Sequence, residues 1–325
     1  MLQFIIRRML WMIPTLFILA WITFALMHAA PGGPWDTDPS RKQLDPRTEQ
    51  QLNRRFGLDK PEYFNPNGDP SRPWTYLDSQ FFNYIFKALQ GDLGASFRRR
   101  GQDVQEIIGR GLPYSARLGL IAFAWSTVLG LALGVMASLN QNTYIDYISG
   151  FLATFLRSVP SFVLGIYLII IFATWLKLVP VIQSDWNGIT PYILPAIALG
   201  APTMAFVMRL TRGSMLEVIR QDYIRTARAK GLGDRAVIMG HMLRNALIPV
   251  VTILGPAFVA LVTGSFIIEN LFAIPGIGRL FVEAIGQRDY PMIMGTTLFY
   301  AVLVAIANLA VDVTYAFIDP RIRLS

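Results

Sequence analysis

The chain has 325 residues, of which 53% are hydrophobic and 15% charged. A soluble domain carries about 25% charged residues, so this composition excludes an ordinary soluble enzyme or binding module. Cysteine is absent from the sequence, which rules out a disulfide, a Cys-ligated zinc site or an iron–sulfur cluster made by this chain alone. The net charge of +8 would suit nucleic acid, but the placement of the cations, described below, follows membrane topology instead.

Six stretches lack Asp, Glu, Lys and Arg altogether: Met9–Ala29, Leu118–Ile145, Ser158–Leu176, Trp186–Met208, Asn245–Ile268 and Tyr290–Val311. Each is long enough to cross a hydrocarbon core of about 30 Å at 1.5 Å per residue. The expected architecture is all-α, with six transmembrane helices. The first run follows Arg7 and Arg8. It is longer than the apolar region of a signal peptide, and Pro31-Gly32-Gly33-Pro34 follows it in place of a small-residue cleavage site, so it reads as a retained span. The positive-inside rule then puts the N-terminus in the cytoplasm. Six crossings return the C-terminus, with Arg321 and Arg323, to the same side.

Residues 31–114 form the expected extracytoplasmic loop. They hold 12 of the 29 basic residues against 11 acids, and a loop longer than about 60 residues translocates largely regardless of charge. Turn-rich sequence such as Asn65-Pro66-Asn67-Gly68-Asp69-Pro70 is interleaved with Phe56, Tyr63, Phe64, Trp74, Phe81, Phe82 and Phe86. The mixture predicts a small irregular cap, either a lid packed on the helices or a docking surface. Val104, Ile107, Ile108 and Leu112 recur at helical spacing and predict a short amphipathic helix in the outer interface, ended by Pro113.

The second span carries Gly130 and Gly134, a small-xxx-small pair suited to close contact with a neighbouring helix or with another membrane chain. Residues 148–176 predict one long or kinked third helix, with Arg157 snorkelling at its cytoplasmic end and Pro160 inside it. The inner segment 211–246 holds seven bases against three acids, as a cytoplasmic loop requires. Asp312 is the one acid of the sixth span and reads as a structural group. The chain thus divides into 1–30 (N-terminus and first span), 31–114 (loop and cap) and 115–325 (a five-span core containing 211–246).

The inner segment carries the most information. Helix from the fourth span is expected to run to about Lys230, with Gly231 as its left-handed cap. Asp234 is the expected N-cap of a second helix toward Asn245, with Pro249 near the start of the fifth span. Apolar and small residues (Ala227, Ala229, Leu232, Ala236, Val237) lie beside cations (Arg225, Arg228, Lys230, Arg235). A solvated loop does not need that spacing; a docking element for a peripheral partner would use it, and so would a loop packed on the helices.

This segment resembles the cytoplasmic signature loop of ABC-importer permeases: Glu-Ala-Ala, three residues, Gly, nine residues, then Ile-x-Leu-Pro. Arg225-Thr226-Ala227 and Gly231 occupy the first part, and His241-Met242-Leu243-Arg244 the second, with the proline displaced to Pro249. The replaced Glu and the displaced Pro are similar to the dipeptide/oligopeptide (peptide/nickel) branch. Gly91-Asp-Leu-Gly-Ala-Ser-Phe97, Ser158-Val-Pro-Ser-Phe-Val-Leu-Gly165 and Ile274-Pro-Gly-Ile-Gly-Arg-Leu280 look like that branch's B-type permease. The resemblance implies a type I ABC-importer permease fold in the bacterial inner membrane. It also implies import of oligopeptides or dipeptides, with this chain forming half of the passage. Implied partners are a second permease, two cytoplasmic ATPases, which bring the ATP and magnesium, and an extracytoplasmic substrate-binding protein. By the same resemblance, Tyr223, Arg225, Thr226, Ala227, Arg228, Gly231, Leu232, His241, Arg244 and Asn245 are the ATPase-coupling residues.

No Gly-x-x-x-x-Gly-Lys-Ser/Thr loop occurs, so energy must come from a partner or an ion gradient. An ion-driven secondary carrier is the alternative, but it would normally place charged groups at mid-membrane, and these spans hold almost none. An enzyme is disfavoured: no Gly-x-Ser-x-Gly pattern is present, and His28 and His241 make no metal pair. No catalytic, cofactor or metal residue is expected.

Overall fold

The computed structural model describes residues 2–35, 45–181, 183 and 185–318, with side chains from Ile5 to Val313; Arg321 and Arg323 lie outside the described residues. Among these residues the architecture is helical, without a named strand. Five helices are long and apolar enough to cross a membrane, and a bent pair makes six if taken as one span. The chain forms two compact units, one of residues 1–112 with 279–305 and the other of residues 113–278 with 306–324. These units cut across the linear division drawn from sequence, because the first span and the cap share a unit with a segment near the other end of the chain.

In the first unit, helix α1 (Leu2–Ala29) runs through Pro14. Thr15 and Thr23 donate their hydroxyl protons back to the Trp11 and Leu19 carbonyls, each at 2.8 Å, which satisfies hydroxyls that lipid could not. The cap contributes α2 (Pro46–Phe56), ended by Gly57 at φ +71°, and α3 (Gln80–Leu89), whose Ser79 accepts from the Phe82 N–H. Phe81, 1% exposed, sits edge-on to Phe17 and Phe24 of α1 at 5.6 and 5.3 Å between ring centroids. Tyr63 meets Phe24 in the same way at 5.4 Å. These rings therefore serve as a lid packed on the first span. Trp74 and Phe64 stay largely exposed.

Helix α4 spans Val104–Leu139 as 36 continuous residues with Pro113 inside it. This corrects the expected short interfacial helix ending at Pro113. Val104, Ile107 and Ile108 are buried, so the apolar stripe faces protein.

The second unit is assembled around α7 (Ile193–Ile219), against which α5 (Tyr144–Ser158), α6 (Ser161–Leu168) and α10 (Leu243–Val262) pack. Backbones approach closely where glycines meet carbonyls. A Cβ on Gly130 would lie 2.9 Å from the Met204 oxygen, one on Gly134 2.6 Å from the Met208 oxygen, and one on Gly200 of α7 2.8 Å from the Ala122 oxygen. The Gly130/Gly134 pair is thus used inside the chain, between α4 and α7. Gly119 lies equally close to Leu261 and Val262 of α10.

The third span differs from the single long helix expected. Helix α5 ends at Ser158, Val159 is extended (φ −86°, ψ 124°), and α6 with its π-helical continuation Ile169–Trp175 departs at 104°. Pro160 makes the stop easy, since it lacks an N–H and disfavours the helical region for the residue before it. The Arg157 guanidinium lies over the Phe206 ring of α7, 5.2 Å from its centroid, a cation–π contact that fixes the end of α5.

Asp146, at the start of α5, is 5% exposed. Arg212 of α7 grips it at two points, Nε to Oδ1 at 2.5 Å and a second guanidinium nitrogen to Oδ2 at 2.7 Å, and the Asn142 N–H adds a third bond at 3.0 Å. Arg212→Ala leaves this carboxylate buried without its cation, at an expected cost of ~2 kcal/mol after allowing for the partly exposed arginine. The reversed pair, Asp146→Arg with Arg212→Asp, is expected to regain part of that loss. Thermal stability of purified wild type and the two variants decides it, and equal stability for wild type and Arg212→Ala would refute a structural role.

Candidate functional site: the segment between α7 and α10

The segment after α7 is built differently from the two helices expected. The fourth-span helix stops at Ile219, and Gln221 is extended (φ −75°, ψ 147°), so α8 (Asp222–Ala229) is a separate helix rather than a continuation to Lys230. Its end is closed by Gly231 at φ +78°, with the Gly231 N–H donating to the Arg228 carbonyl at 2.9 Å. Gly231 thus takes the left-handed conformation that favours glycine.

The N-cap position of the next element falls to Gly233, and Asp234 is its first helical residue, with no capping bond from its side chain. Helix α9 (Asp234–Ala236) widens into a π-helical stretch, Val237–Met242, and passes without a break into α10. The second helix therefore does not stand apart from the fifth span, and Pro249 lies inside α10. The Asn245 side-chain amide donates to the His241 carbonyl at 2.8 Å where the helix changes pitch.

The two faces of the segment are chemically distinct. Ile224, Ala227, Val237, Met242 and Ala246 form one buried cluster with Met215 of α7, and Val135 of α4 and Ile219 pack against it. Ile224 and Ala227 are one turn apart, so they share a face of α8. Across from them, Tyr223, Arg225, Thr226 and Arg228 are exposed, as are Leu232, His241, Arg244 and Asn245. Arg225 lies 3.7 Å from Asp222, and Arg228 lies 4.0 Å from Asp234. Both contacts are long and exposed, so they restrain the cations little.

Ten residues were expected at a docking surface. The structure brings nine of them to the exposed side, Gly231 included, and turns Ala227 inward at 6% exposure. Ala227 is part of the buried anchor of the segment. Met215, Ile224 and Met242 are further anchors that the sequence did not single out, and Val237, expected beside the cations, is buried with them; the spacing of 224 and 227 places two residues on one face without saying which way that face turns.

The family-like motifs have local explanations. In the first unit, Gly91–Phe97 wraps the buried Asp289. Its carboxylate accepts from the Ser96 hydroxyl and from the Phe97 N–H (3.1 Å), and it also accepts from the Met292 N–H at the start of α13 (Tyr290–Ile318; 3.4 Å). In the second unit, Glu269 of α11 (Phe266–Leu271) is fully buried. It accepts from the Gly278 N–H at 2.8 Å, while the Ser115 hydroxyl accepts from the Ile277 N–H at 2.9 Å. Together they cap the first turn of α12 (Ile277–Gln287). The glycines of Ile274–Leu280 exist to admit this carboxylate, since a Cβ on Gly276 would lie 2.2 Å from a Glu269 oxygen. Glu269 directly follows the fifth apolar stretch, and nothing in its local sequence marks it for burial.

Among the described residues no cluster of His, Cys, Asp or Glu has the arrangement of a metal site.

Comparison with known proteins agrees along the chain. Residues 130–324 match the binding-protein-dependent transport system inner membrane component, and residues 1–119 match the N-terminal region of such membrane components. The chain is 40% identical over 324 residues to the dipeptide transport system permease protein DppB of Bacillus subtilis, covering 100% of this chain and 99% of that one. It is also 40% identical over 325 residues to the oligopeptide transport system permease protein OppB of Escherichia coli K12, covering 99% and 100%. Among solved structures, the inward-facing MetNI methionine ABC transporter superimposes with a TM-score of 0.52 at 19% identity, over 66% of this chain and 97% of that one. That likeness supports the fold, the type I ABC-importer permease arrangement. A carrier driven by an ion gradient finds no support in these matches. The exposed cationic ridge on an apolar anchor, the helical spans and the matches along both parts of the chain lead to one assignment: this chain belongs to the binding-protein-dependent transport system inner membrane components, as a multi-pass permease subunit.

Proposed function

We propose that this permease subunit forms half of the passage of an ATP-driven importer for oligopeptides or dipeptides. Its partners in this reading are a second permease, two cytoplasmic ATPases that bind and hydrolyse ATP with magnesium, and an extracytoplasmic substrate-binding protein. Both chain termini and the segment between α7 and α10 lie in the cytoplasm, and the cap lies outside. One observation carries the reading: α8 and the turn after it present Tyr223, Arg225, Thr226, Arg228 and Leu232 outward while Ile224 and Ala227 root them to α7. A partner that pushes on the exposed face therefore moves α7 directly, as a rigid body. The peptide cargo rests on the names of the relatives that match end to end.

The test is gentle purification of the tagged chain, followed by mass spectrometry and ATP-dependent peptide uptake in vesicles. Recovery of an ATPase pair and a second six-span protein, with uptake of a tripeptide, is expected. Arg225→Glu with Arg228→Glu is expected to weaken ATPase association about tenfold, equivalent to ~1.4 kcal/mol. Unchanged copurification of the ATPases would remove these arginines from the contact.

A further inference from the structure

The first unit holds a cavity of about 1910 Å³, open to solvent on one side, whose lining belongs to that unit alone. Small-molecule sites occupy roughly 300–1,000 Å³, so this space suits a short chain molecule. Its deep wall is aromatic and buried, with Phe24 of α1 and Tyr290 of α13 among the lining residues. Six Arg and Lys residues line it against three Asp and Glu. Arg54, Lys87 and Arg100 are exposed toward solvent, whereas Arg98 is committed to the Gln287 and Pro34 carbonyls at 2.7 and 2.6 Å.

Tyr84 of α3 lines the same cavity, with its hydroxyl buried beneath that surface.

We propose that this cavity in the cap binds a short peptide through its carboxylate, either the free C-terminus or an acidic side chain, while apolar side chains rest on the aromatic wall. The proposal rests on the peptide reading above and adds a second, charge-selective site on the permease itself. Arg54, Lys87 and Arg100 attract the carboxylate, and fixed aromatic rings accept side chains of varied shape.

The experiment uses the full chain in lipid nanodiscs, with Ala-Phe-Ala-Glu and the uncharged-terminus analogue Ala-Phe-Ala-Gln-amide as probes in titration calorimetry. The expected result is saturable binding of the acidic peptide, at least tenfold weaker binding of the amide, and weakening of the acidic peptide with added salt. Arg54→Glu with Arg100→Glu is expected to lose at least tenfold in affinity. If that variant is unstable, Arg54→Gln with Arg100→Gln serves in its place, with a smaller loss in the same direction. Equal affinities for the two peptides, or a charge-altered variant that binds as wild type does, would overturn the proposal. Tripeptide uptake by the assembled transporter separates the two readings. Uptake that proceeds while the cavity binds neither probe sinks only this inference, whereas absent uptake sinks the peptide assignment itself.

Discussion

Gly119→Val is expected to destabilise the protein by about 3 kcal/mol or more, near the upper limit for overpacking. An added Cβ would lie 2.3 Å from the Leu261 carbonyl oxygen and 2.4 Å from the Val262 Cα. Both are backbone atoms, so no side chain can rotate away, and relief requires α4 and α10 to separate. The internal control is Gly213 of α7, which is exposed and has nothing within 4 Å of its would-be Cβ. Gly213→Ala is expected to be neutral or to stabilise by ~0.5–1 kcal/mol, because alanine is the better helix former. Thermal aggregation of the detergent-solubilised variants checks both. At about 2–4 °C per kcal/mol, Gly119→Val should melt roughly 6 °C or more below wild type. Equal melting of Gly119→Val and wild type would show that the α4–α10 contact is not close-packed.

The second large effect lies in the glycine cup around Glu269. Glu269→Ala removes the acceptor for the Gly278 N–H and empties a fully buried site, at an expected cost of ~3 kcal/mol. Gly276→Ala is expected to cost about 2 kcal/mol, because its Cβ collides with the Glu269 carboxylate and with the Ser115 hydroxyl, 2.5 Å away. The informative measurement is the double variant. Once the carboxylate is gone, only the Ser115 hydroxyl still crowds the methyl group, so the two losses should fall short of adding by about 1 kcal/mol. Strict additivity in chemical unfolding would mean that the glycines do not make room for Glu269.

The six apolar crossings were legible in the sequence because absence of charge over about 20 residues is a strong signal, and the structure keeps all six if the bent pair counts once. Their interruptions were not legible. Pro14, Pro113, Pro202, Pro249 and Pro256 lie inside continuous helices, whereas Pro160 ends one. The residues preceding them overlap in type, with Ile13 and Ile248 staying helical and Val159 becoming extended, so local chemistry does not separate the cases. Packing does: Arg157 is held on Phe206, and α6 is drawn against α7 and α11.

In the segment between α7 and α10, the left-handed Gly231 was legible because a glycine after a run of helix formers has few other uses. The break at Gln221 and the inward turn of Ala227 were not. Both depend on Met215 and Met242 converging from distant positions, and no spacing within the segment encodes that. The buried Glu269 escaped notice for the same reason. Its partner Gly278 lies at the start of α12, and Ser115 of α4, which accepts from the Ile277 N–H, caps the same turn; a lone carboxylate near a loop carries no sign of burial.

The glycine seam between α4 and α7 also bears on the motions open to the transport cycle. Gly130 and Gly134 lie one turn apart and face the carbonyls of Met204 and Met208, likewise one turn apart. A one-turn ratchet of about 5.4 Å along the common axis would therefore set one glycine against the carbonyl that the other has left, so the seam is a track rather than a latch. Rotation of either helix about its own axis is a different matter, because it would swing Leu131 or Leu133 against the same backbone.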